Sequence, residues 1–276
     1  MVLPSDFQFS QSSLQNYVDC PRRFQLRYLQ RLAWPAVEAE PPLENERHLQ
    51  QGAAFHRLVH QHVLGIAPER LSSLVTEEDL RRWWHNYLAA APADLPTLRY
   101  PEVVLSAPVG GHRLVAKYDL IAVDAGRQAV IVDWKTSRKR PGRKWLAGRL
   151  QTRVYLYLLV RAGSYLNGGQ PLQPEQVGMV YWFADFPANP ERFTYDAAQY
   201  EADGAYLASL IEEIKSLGDG DFPLTTQEQR CRYCPYRSLC QRGVKAGTFE
   251  EAEEEAEPGN DFDIFPDFEQ IAEIEY

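Results

Sequence analysis

Hydrophobic residues recur along the chain with two periods, one typical of helices and one typical of strands. Apolar positions spaced three to four residues apart predict helices over residues 10–32, 46–64, 77–90, 145–166 and 196–217. Pro21 lies inside the first of these, so we expect a break at Cys20-Pro21 with a new helix starting there. Alternating or continuous apolar runs predict strands that start at Glu102 and that cover residues 114–123, 130–136 and 177–183. The mixture predicts an α/β chain.

The strand over residues 130–136 ends in a carboxylate and an amine, Asp133 and Lys135. Side chains alternate across a strand, so both project from one face and Trp134 projects from the other. The pair suits phosphodiester hydrolysis, in which Asp133 would hold a divalent cation and Lys135 would stabilise charge or position a water. On its own the pattern is common, because any strand that runs into a polar loop can end in Asp-x-Lys.

A second aspartate, Asp119, interrupts the preceding strand. Residues 124–126 read as a three-residue hairpin loop with Gly126 in the left-handed position. This loop predicts that Asp119 lies opposite Ile131. The two aspartates would then be diagonal neighbours on one face, about 7 to 8 Å apart at the backbone, and could share one metal ion.

The helix over residues 46–64 carries three histidines, His56, His60 and His62. His56 and His60 are one turn apart and could form a paired metal site. The simpler interpretation is one buried ligand and two surface residues. We expect His56 to be that ligand, because Phe55 and Val59 flank it on the apolar side.

Two further polar features follow the Asp133 strand. Residues 137–144 contain five Lys or Arg side chains, which favours binding of substrate phosphates over a role in solubility alone. Gln151 and Tyr155 lie four residues apart on one face of the next predicted helix, and both could point at the site. The Gln-x-x-x-Tyr spacing alone is not specific.

Cysteines form the second strong signal. Cys231, Cys234 and Cys240 form a tight Cys-x2-Cys-x5-Cys cluster, and Cys20 lies far upstream. Four thiolates match a zinc site or a [4Fe-4S] cluster by count. Such a site would tie the N-terminal helix to the C-terminal segment by closing a very long loop. The alternative is four unrelated buried thiols.

The net charge of −9 is unevenly distributed. Residues 247–276 hold twelve Asp or Glu and no Lys or Arg, so the preceding residues carry a net charge of +3. That value is compatible with a DNA channel. The acidic, aromatic tail would either mimic a nucleic acid strand in the channel, dock a protein partner, or act as a flexible solubilising tail.

Targeting signals are not apparent in the sequence. No apolar run is long enough to span a membrane, and the first residues lack the basic start and apolar stretch of a secretory signal. We therefore expect a cytoplasmic, reducing location. There, cysteines serve as metal ligands or free thiols more often than as disulfides.

Together, the motifs resemble the RecB-like branch of the PD-(D/E)XK nuclease superfamily, and more narrowly its iron–sulfur members, the Cas4-like and AddB-like nucleases. The similarity spans residues 10–243, and its motifs occur in this order: Cys20-Pro21-Arg22-Arg23-Phe24, His56, Asp119, Asp133-x-Lys135, Gln151-x-x-x-Tyr155 and Cys231-x2-Cys234-x5-Cys240. The resemblance implies a restriction-endonuclease-like core, a small mixed β-sheet flanked by helices. A cysteine-clasped helical subdomain would join the N- and C-terminal parts.

The resemblance also implies roles for individual residues. One divalent ion, Mg²⁺ or Mn²⁺, would be held by His56, Asp119, Asp133 and the backbone carbonyl of Trp134. Lys135 would be the catalytic lysine. Site organisation and DNA contact would fall to Gln151 and Tyr155, and the [4Fe-4S] ligands would be Cys20, Cys231, Cys234 and Cys240.

The implied activity is a metal-dependent deoxyribonuclease, expected to act as an exonuclease on single-stranded DNA or DNA ends in repair, recombination or CRISPR adaptation. Its nuclease domain would span residues 1–246, with Cys20 and residues 226–243 as the cluster-binding part. The tail departs from the family pattern, and Ala116 stands where a Gly is often found. A competing hypothesis is a non-catalytic DNA-binding or adaptor module on the same scaffold.

Overall fold

A six-stranded mixed sheet forms the centre of the protein. The computed structural model describes residues 3–32, 42–218, 220 and 222–243. The strands are β1 (Gln8–Ser10), β2 (Leu98–Val109), β3 (His112–Asp124), β4 (Gln128–Lys135), β5 (Val177–Phe183) and β6 (Glu191–Thr194). The α-helices in the described residues are α1 (Gln11–Asp19), α2 (Pro21–Phe24), α3 (Pro42–Val63), α4 (Pro68–Ser72), α5 (Glu78–Ala90), α6 (Arg143–Gly148), α7 (Leu150–Ala162) and α8 (Ala197–Ser216).

The strand order is β1-β3-β4-β5-β6, and β2 pairs with β3. Strands β1 and β3 run parallel, as do β4 and β5, and the other pairs are antiparallel. A parallel neighbour needs a crossover connection. Helices α6 and α7 supply it between β4 and β5. The predicted fold class, a small mixed sheet flanked by helices, is therefore confirmed.

Two hydrophobic cores lie against the sheet. The larger core includes Leu14 of α1, Leu158 of α7 and Ile211 of α8. The second core includes Phe55 of α3 and Trp83 of α5, together with the sheet residues Leu120, Val132, Trp134 and Trp182. The sheet is thus covered by α3 and α5 through one core and by α1, α7 and α8 through the other.

Most predicted elements are present, with differences at their ends. The break at Cys20-Pro21 is confirmed, since α1 ends at Asp19 and α2 begins at Pro21. The helix predicted over residues 145–166 is instead interrupted at Arg149, whose backbone is extended. Strands β1 and β6 were not predicted, because three and four residues are too few to show a period. The tail over residues 247–276 lies outside the described residues.

The β3–β4 hairpin has the predicted loop length, but the predicted register is wrong by two residues. Asp124 pairs with Gln128, and the Arg127 N–H donates to the Asp124 carbonyl at 2.9 Å, so the loop is residues 125–127. Gly126 within it has the expected positive φ of 78°. Because Leu120 pairs with Val132, this register puts Asp119 across from Asp133 and not across from Ile131.

Among the helices of the described chain, none has the length and apolar character needed to cross a membrane.

Candidate active site

The side chains of Asp119 and His56 are in contact near the end of β4. Asp119 Oδ1 lies 3.2 Å from His56 Nδ1, and Asp119 Oδ2 accepts a hydrogen bond from the Trp134 N–H at 2.9 Å. Helix α3 can approach β4 closely because Gly52, one turn before His56, has no side chain. A Cβ at Gly52 would lie 3.0 Å from Thr136 Oγ1. The sequence thus places an imidazole and a carboxylate on two different elements and brings them into contact.

The surroundings of Asp119 favour its charged form. Burial raises the pKa of this carboxyl, but the neighbouring His56, the bond from the Trp134 N–H and the charge of Lys135 lower it by more. The net pKa therefore lies below the ordinary value of an aspartate. An ionised carboxylate is the form that binds a divalent cation.

Asp133, Lys135 and Gln151 form a second, more buried group. Asp133 Oδ2 lies 2.9 Å from Lys135 Nζ, and Gln151 Nε2 donates to Asp133 Oδ1 at 2.7 Å. Lys135 Nζ in turn donates to Gln151 Oε1 at 3.2 Å. The side chains of Asp133 and Lys135 are 4% and 14% exposed, so the pair is held away from bulk water. Gln151 from α7 therefore orients both charged groups at once.

Tyr155 supports the site through the backbone of β3. Its hydroxyl donates to the Lys117 carbonyl at 2.7 Å, and its ring centroid lies 4.6 Å from that of Tyr118. Burial, followed by the charges of Asp133 and Asp119, raises the pKa of Tyr155 well above its ordinary value. The hydroxyl therefore stays protonated and acts as a donor to β3.

Some of the residues that the sequence suggested as metal ligands or phosphate contacts have partners outside this site. His62 Nδ1 lies 3.0 Å from the Tyr87 hydroxyl and its ring packs on Trp84, so this histidine is tied to the second core. In the basic segment, Arg140 and Arg143 both form ion pairs with Glu191 of β6. Those two arginines therefore already have an ion-pair partner within the protein.

Within the part of the chain that is described, no group of three or more His, Cys, Asp or Glu side chains is arranged to hold a metal ion. For the two aspartates, the contacts explain why. Asp119 is turned toward His56 and the Trp134 amide, whereas Asp133 is turned toward Lys135 and Gln151. The two carboxylates thus belong to adjoining hydrogen-bonded groups.

The four cysteines lie in one neighbourhood beside α1 and α2. All four are free. Burial first, and then the charges of Cys234, Cys20 and Cys240, raise the pKa of Cys231 to about 11. The sulfurs are therefore close enough to interact electrostatically although they come from opposite ends of the described chain.

Polar contacts also join the two cysteine-bearing segments. The Tyr236 hydroxyl donates to the Leu32 carbonyl at 2.8 Å, and Arg230 pairs with Asp19. Arg23 Nη2 lies 2.5 Å from Asp19 Oδ2, while Arg23 Nε is buried with no hydrogen-bond partner in the described structure. Sequence reasoning missed Asp19 and Arg23 as parts of this cluster. The sequence feature that could have indicated this role is their position on either side of Cys20-Pro21.

Glu102 is the other residue whose position sequence reasoning missed. It lies in β2 between the pairs Pro101–Leu120 and Val103–Tyr118, which places it across from Asp119. Its backbone φ is 56°, a left-handed value in the middle of a strand. Nothing in the local sequence predicts that conformation, because glutamate does not favour it.

The comparison with family models agrees with the resemblance at the level of the superfamily. A family model described as the PD-(D/E)XK nuclease superfamily matches residues 8–241. No curated protein matches the sequence. Among solved structures, SSO0001 is 16% identical with a TM-score of 0.42, covering 86% of this chain and 87% of its own. A proposed exonuclease from Eubacterium rectale is 10% identical with a TM-score of 0.48, and the alignment covers 80% and 85% of the two chains.

Proposed function

Because the chain belongs to the PD-(D/E)XK nuclease superfamily, we propose that it is a divalent-metal-dependent deoxyribonuclease whose active site contains Asp119, Asp133 and Lys135. The observation that carries the proposal is the meeting of two polar groups across the β3–β4 pair. Asp119 contacts His56 from α3, and Asp133 contacts Lys135 and Gln151 from α7.

The residues fit Mg²⁺ or Mn²⁺ by the chemistry of their donors. Carboxylate oxygens and an imidazole nitrogen are ligands that these ions accept. Asp119 Oδ1 and His56 Nδ1 are 3.2 Å apart. Adjacent ligands of an octahedral ion with bonds of about 2.1 Å are separated by roughly 3 Å. We propose that His56, Asp119, Asp133 and the Trp134 carbonyl hold the ion.

When bound, such an ion lowers the pKa of a coordinated water and polarises the scissile phosphate. Lys135 carries a fixed positive charge beside Asp133 and would stabilise the charge that builds on the phosphate in the transition state. Gln151 keeps Lys135 and Asp133 in place by bonding both of them. Tyr155 fixes β3, which carries Asp119, through the Lys117 carbonyl.

Degradation of labelled single-stranded and duplex DNA in Mn²⁺, with and without EDTA, tests the activity. We expect the wild type to degrade DNA only with the metal, and Asp133→Ala to lose at least about a hundredfold in rate. Glu201→Gln, which neutralises an exposed carboxylate on α8, is the matched control and should behave as wild type. A chain that binds DNA but never cleaves it would instead be a non-catalytic DNA-binding or adaptor module.

We also propose that the enzyme is an exonuclease acting on single strands or DNA ends. A linear single strand and its covalently closed circular form separate the two modes of cleavage. An exonuclease degrades the linear substrate and leaves the circle intact, whereas loss of the circle at an equal rate would identify an endonuclease. The proposed setting is cytoplasmic DNA repair, recombination or CRISPR adaptation.

The cysteine cluster is proposed to hold a structural [4Fe-4S] cluster. The number of cysteines and their spacing in the sequence support a metal group, and the family resemblance favours iron over zinc. Metal and acid-labile sulfide analysis of purified protein tests the assignment. Iron and sulfide in equal amounts are expected, and zinc without sulfide would replace the iron proposal by a zinc site.

The proposed nuclease domain covers residues 1–246, with Cys20 and residues 226–243 as its cluster-binding part. The acidic tail over residues 247–276 is proposed to lie in the DNA channel or to dock a partner. Its twelve carboxylates support an electrostatic role. DNA affinity at matched low salt should be weaker for the full chain than for a chain that ends at Gly247. Equal affinities would contradict self-inhibition.

A further inference from the structure

In both β2 and β3, the regular alternation of side chains between the two faces of the sheet is interrupted next to Asp119. We call this interruption the change of face. In a regular strand, residues three apart point to opposite faces of the sheet. In β3, however, Tyr118 and Ile121 both belong to the larger core, whereas Leu120 belongs to the second core. In β2, Tyr100 and Val103 likewise both pack against the larger core.

The register of the two strands is unbroken on each side of this point. Pro101 pairs with Leu120 and Val103 pairs with Tyr118, so no residue has been inserted in either strand. The change of face is therefore produced by backbone conformation and not by a one-sided bulge. At this point Glu102 has a φ of 56°, the only left-handed value among the described residues of β2 and β3.

The change of face lies between Asp119 and Leu120. Regular alternation from Tyr118 puts Asp119 on the side of the second core, whereas alternation from Ile121 would put it on the side of the larger core. The observed side chain instead contacts His56 of α3, a helix that packs through the second core, and the Trp134 N–H. Glu102 lies across from Asp119 at the centre of this change.

The Glu102 side chain also contacts the segment that leads to Asp119. Its carboxylate forms an ion pair with Lys117, two residues before Asp119. The Lys117 carbonyl in turn accepts the Tyr155 hydroxyl bond at 2.7 Å. The backbone of β3 next to Asp119 is thus held by Glu102 on one side and by α7 on the other.

We propose that Glu102 is a positioning residue whose left-handed backbone fixes the change of face between Asp119 and Leu120, so that Asp119 faces His56. The proposal rests on the proposed function, in which Asp119 is a metal ligand. A non-glycine residue held at positive φ is a form of strain that recurs at functional sites. Here the strained residue lies directly across from the carboxylate that contacts His56.

The proposal predicts an unusual order of side-chain preference at position 102. Glycine adopts positive φ without steric cost and asparagine tolerates it, whereas alanine and above all valine disfavour it. The Mn²⁺ affinity of the full-length protein, measured by isothermal titration, should therefore fall in the order Gly, Asn, Ala, Val. We expect Glu102→Gly to keep the Mn²⁺ Kd within about threefold and Glu102→Val to weaken it by about tenfold or more.

Val104 offers a matched control on the same strand, two residues along and exposed to solvent. At this regular strand position, Val104→Gly should lower the stability of the protein and Val104→Ile should leave it unchanged. The Mn²⁺ affinity should be unchanged in both variants. The ring ¹⁵N shifts of His56 provide a second readout that needs no metal. They should change in Glu102→Ala and Glu102→Val and remain as in wild type in Glu102→Gly.

Two outcomes separate this inference from the proposed function. If wild type binds Mn²⁺ and Asp119→Asn abolishes binding, yet Glu102→Val binds as well as Glu102→Gly, the positioning role is wrong and the metal site stands. If Asp119→Asn leaves Mn²⁺ binding unchanged, the proposed metal site itself fails. If Glu102→Val does not fold, Glu102→Ala takes its place in the comparison of Mn²⁺ affinity with Glu102→Gly, because alanine is the milder change.

Discussion

Replacing Lys135 by methionine would remove the ammonium beside a nearly buried carboxylate. Asp133 is 4% exposed and lies 2.9 Å from Lys135 Nζ. Breaking one partner of a buried ion pair costs about 3 to 5 kcal/mol, because the remaining charge loses its compensation. Gln151 Nε2 would still donate to Asp133 at 2.7 Å, so we expect the low end of this range, about 3 kcal/mol at pH 8.

The pH dependence of this loss follows from the charge on Asp133. When the solution is acidic enough to protonate the carboxyl, the uncompensated buried charge disappears. The free energy lost in Lys135→Met should therefore shrink as the pH falls from 8 to 4. Adding Asp133→Asn to Lys135→Met should recover part of the loss at pH 8, because no charge is then buried.

Urea unfolding of the wild type and the variants at both pH values measures these free energies. Lys215→Met is the control, since Lys215 is 36% exposed and pairs with Glu212 on the surface of α8 at 2.6 Å. Such a pair contributes less than about 1 kcal/mol. A loss in Lys135→Met no larger than that in Lys215→Met would refute the argument that Asp133 depends on its buried partner.

Two further predictions concern buried hydroxyl and carboxyl groups. Burial raises the pKa of Asp203 by more than the bond from Tyr195 and the charge of Arg153 lower it. A raised folded pKa stabilises the protein below the unfolded value of about 3.9 and loses that contribution as pH rises. Asp203→Asn should therefore gain thermal stability relative to wild type between pH 4 and pH 7, and a pH-independent difference would contradict this. Tyr155→Phe leaves the Lys117 carbonyl without its 2.7 Å partner and should lower stability by about 1 to 2 kcal/mol in the same melts. An unchanged melting temperature would argue against that bond.

Local sequence was sufficient to predict the elements that carry the site. Asp133 and Lys135 share a face because strands alternate, and Gln151 reaches both because the helix after β4 crosses back over the sheet. The contact of His56 with Asp119 involves residues far apart in the sequence. Their order along the chain, compared with a known family, indicated it, whereas periodicity alone could not.

Features that depend on backbone detail were not predictable. The hairpin loop had the expected length, but the bond from Arg127 to Asp124 closes it one residue later than expected, and this shifted the pairing of Asp119. Left-handed Glu102 has no sequence signal, since its conformation is imposed by the two strands around it. Arg23 beside the cysteines was visible only as part of the Cys20-Pro21-Arg22-Arg23-Phe24 motif, and its pairing with Asp19 was not.

The number of Mn²⁺ ions bound by the full-length protein tests the central claim most directly, when isothermal titration of wild type is compared with the double variant Asp119→Asn, Asp133→Asn. We expect the wild type to bind an ion that the double variant does not bind, at unchanged helical content by circular dichroism. Equal Mn²⁺ binding by the two proteins would contradict the claim that carboxylates of β3 and β4 hold the catalytic metal.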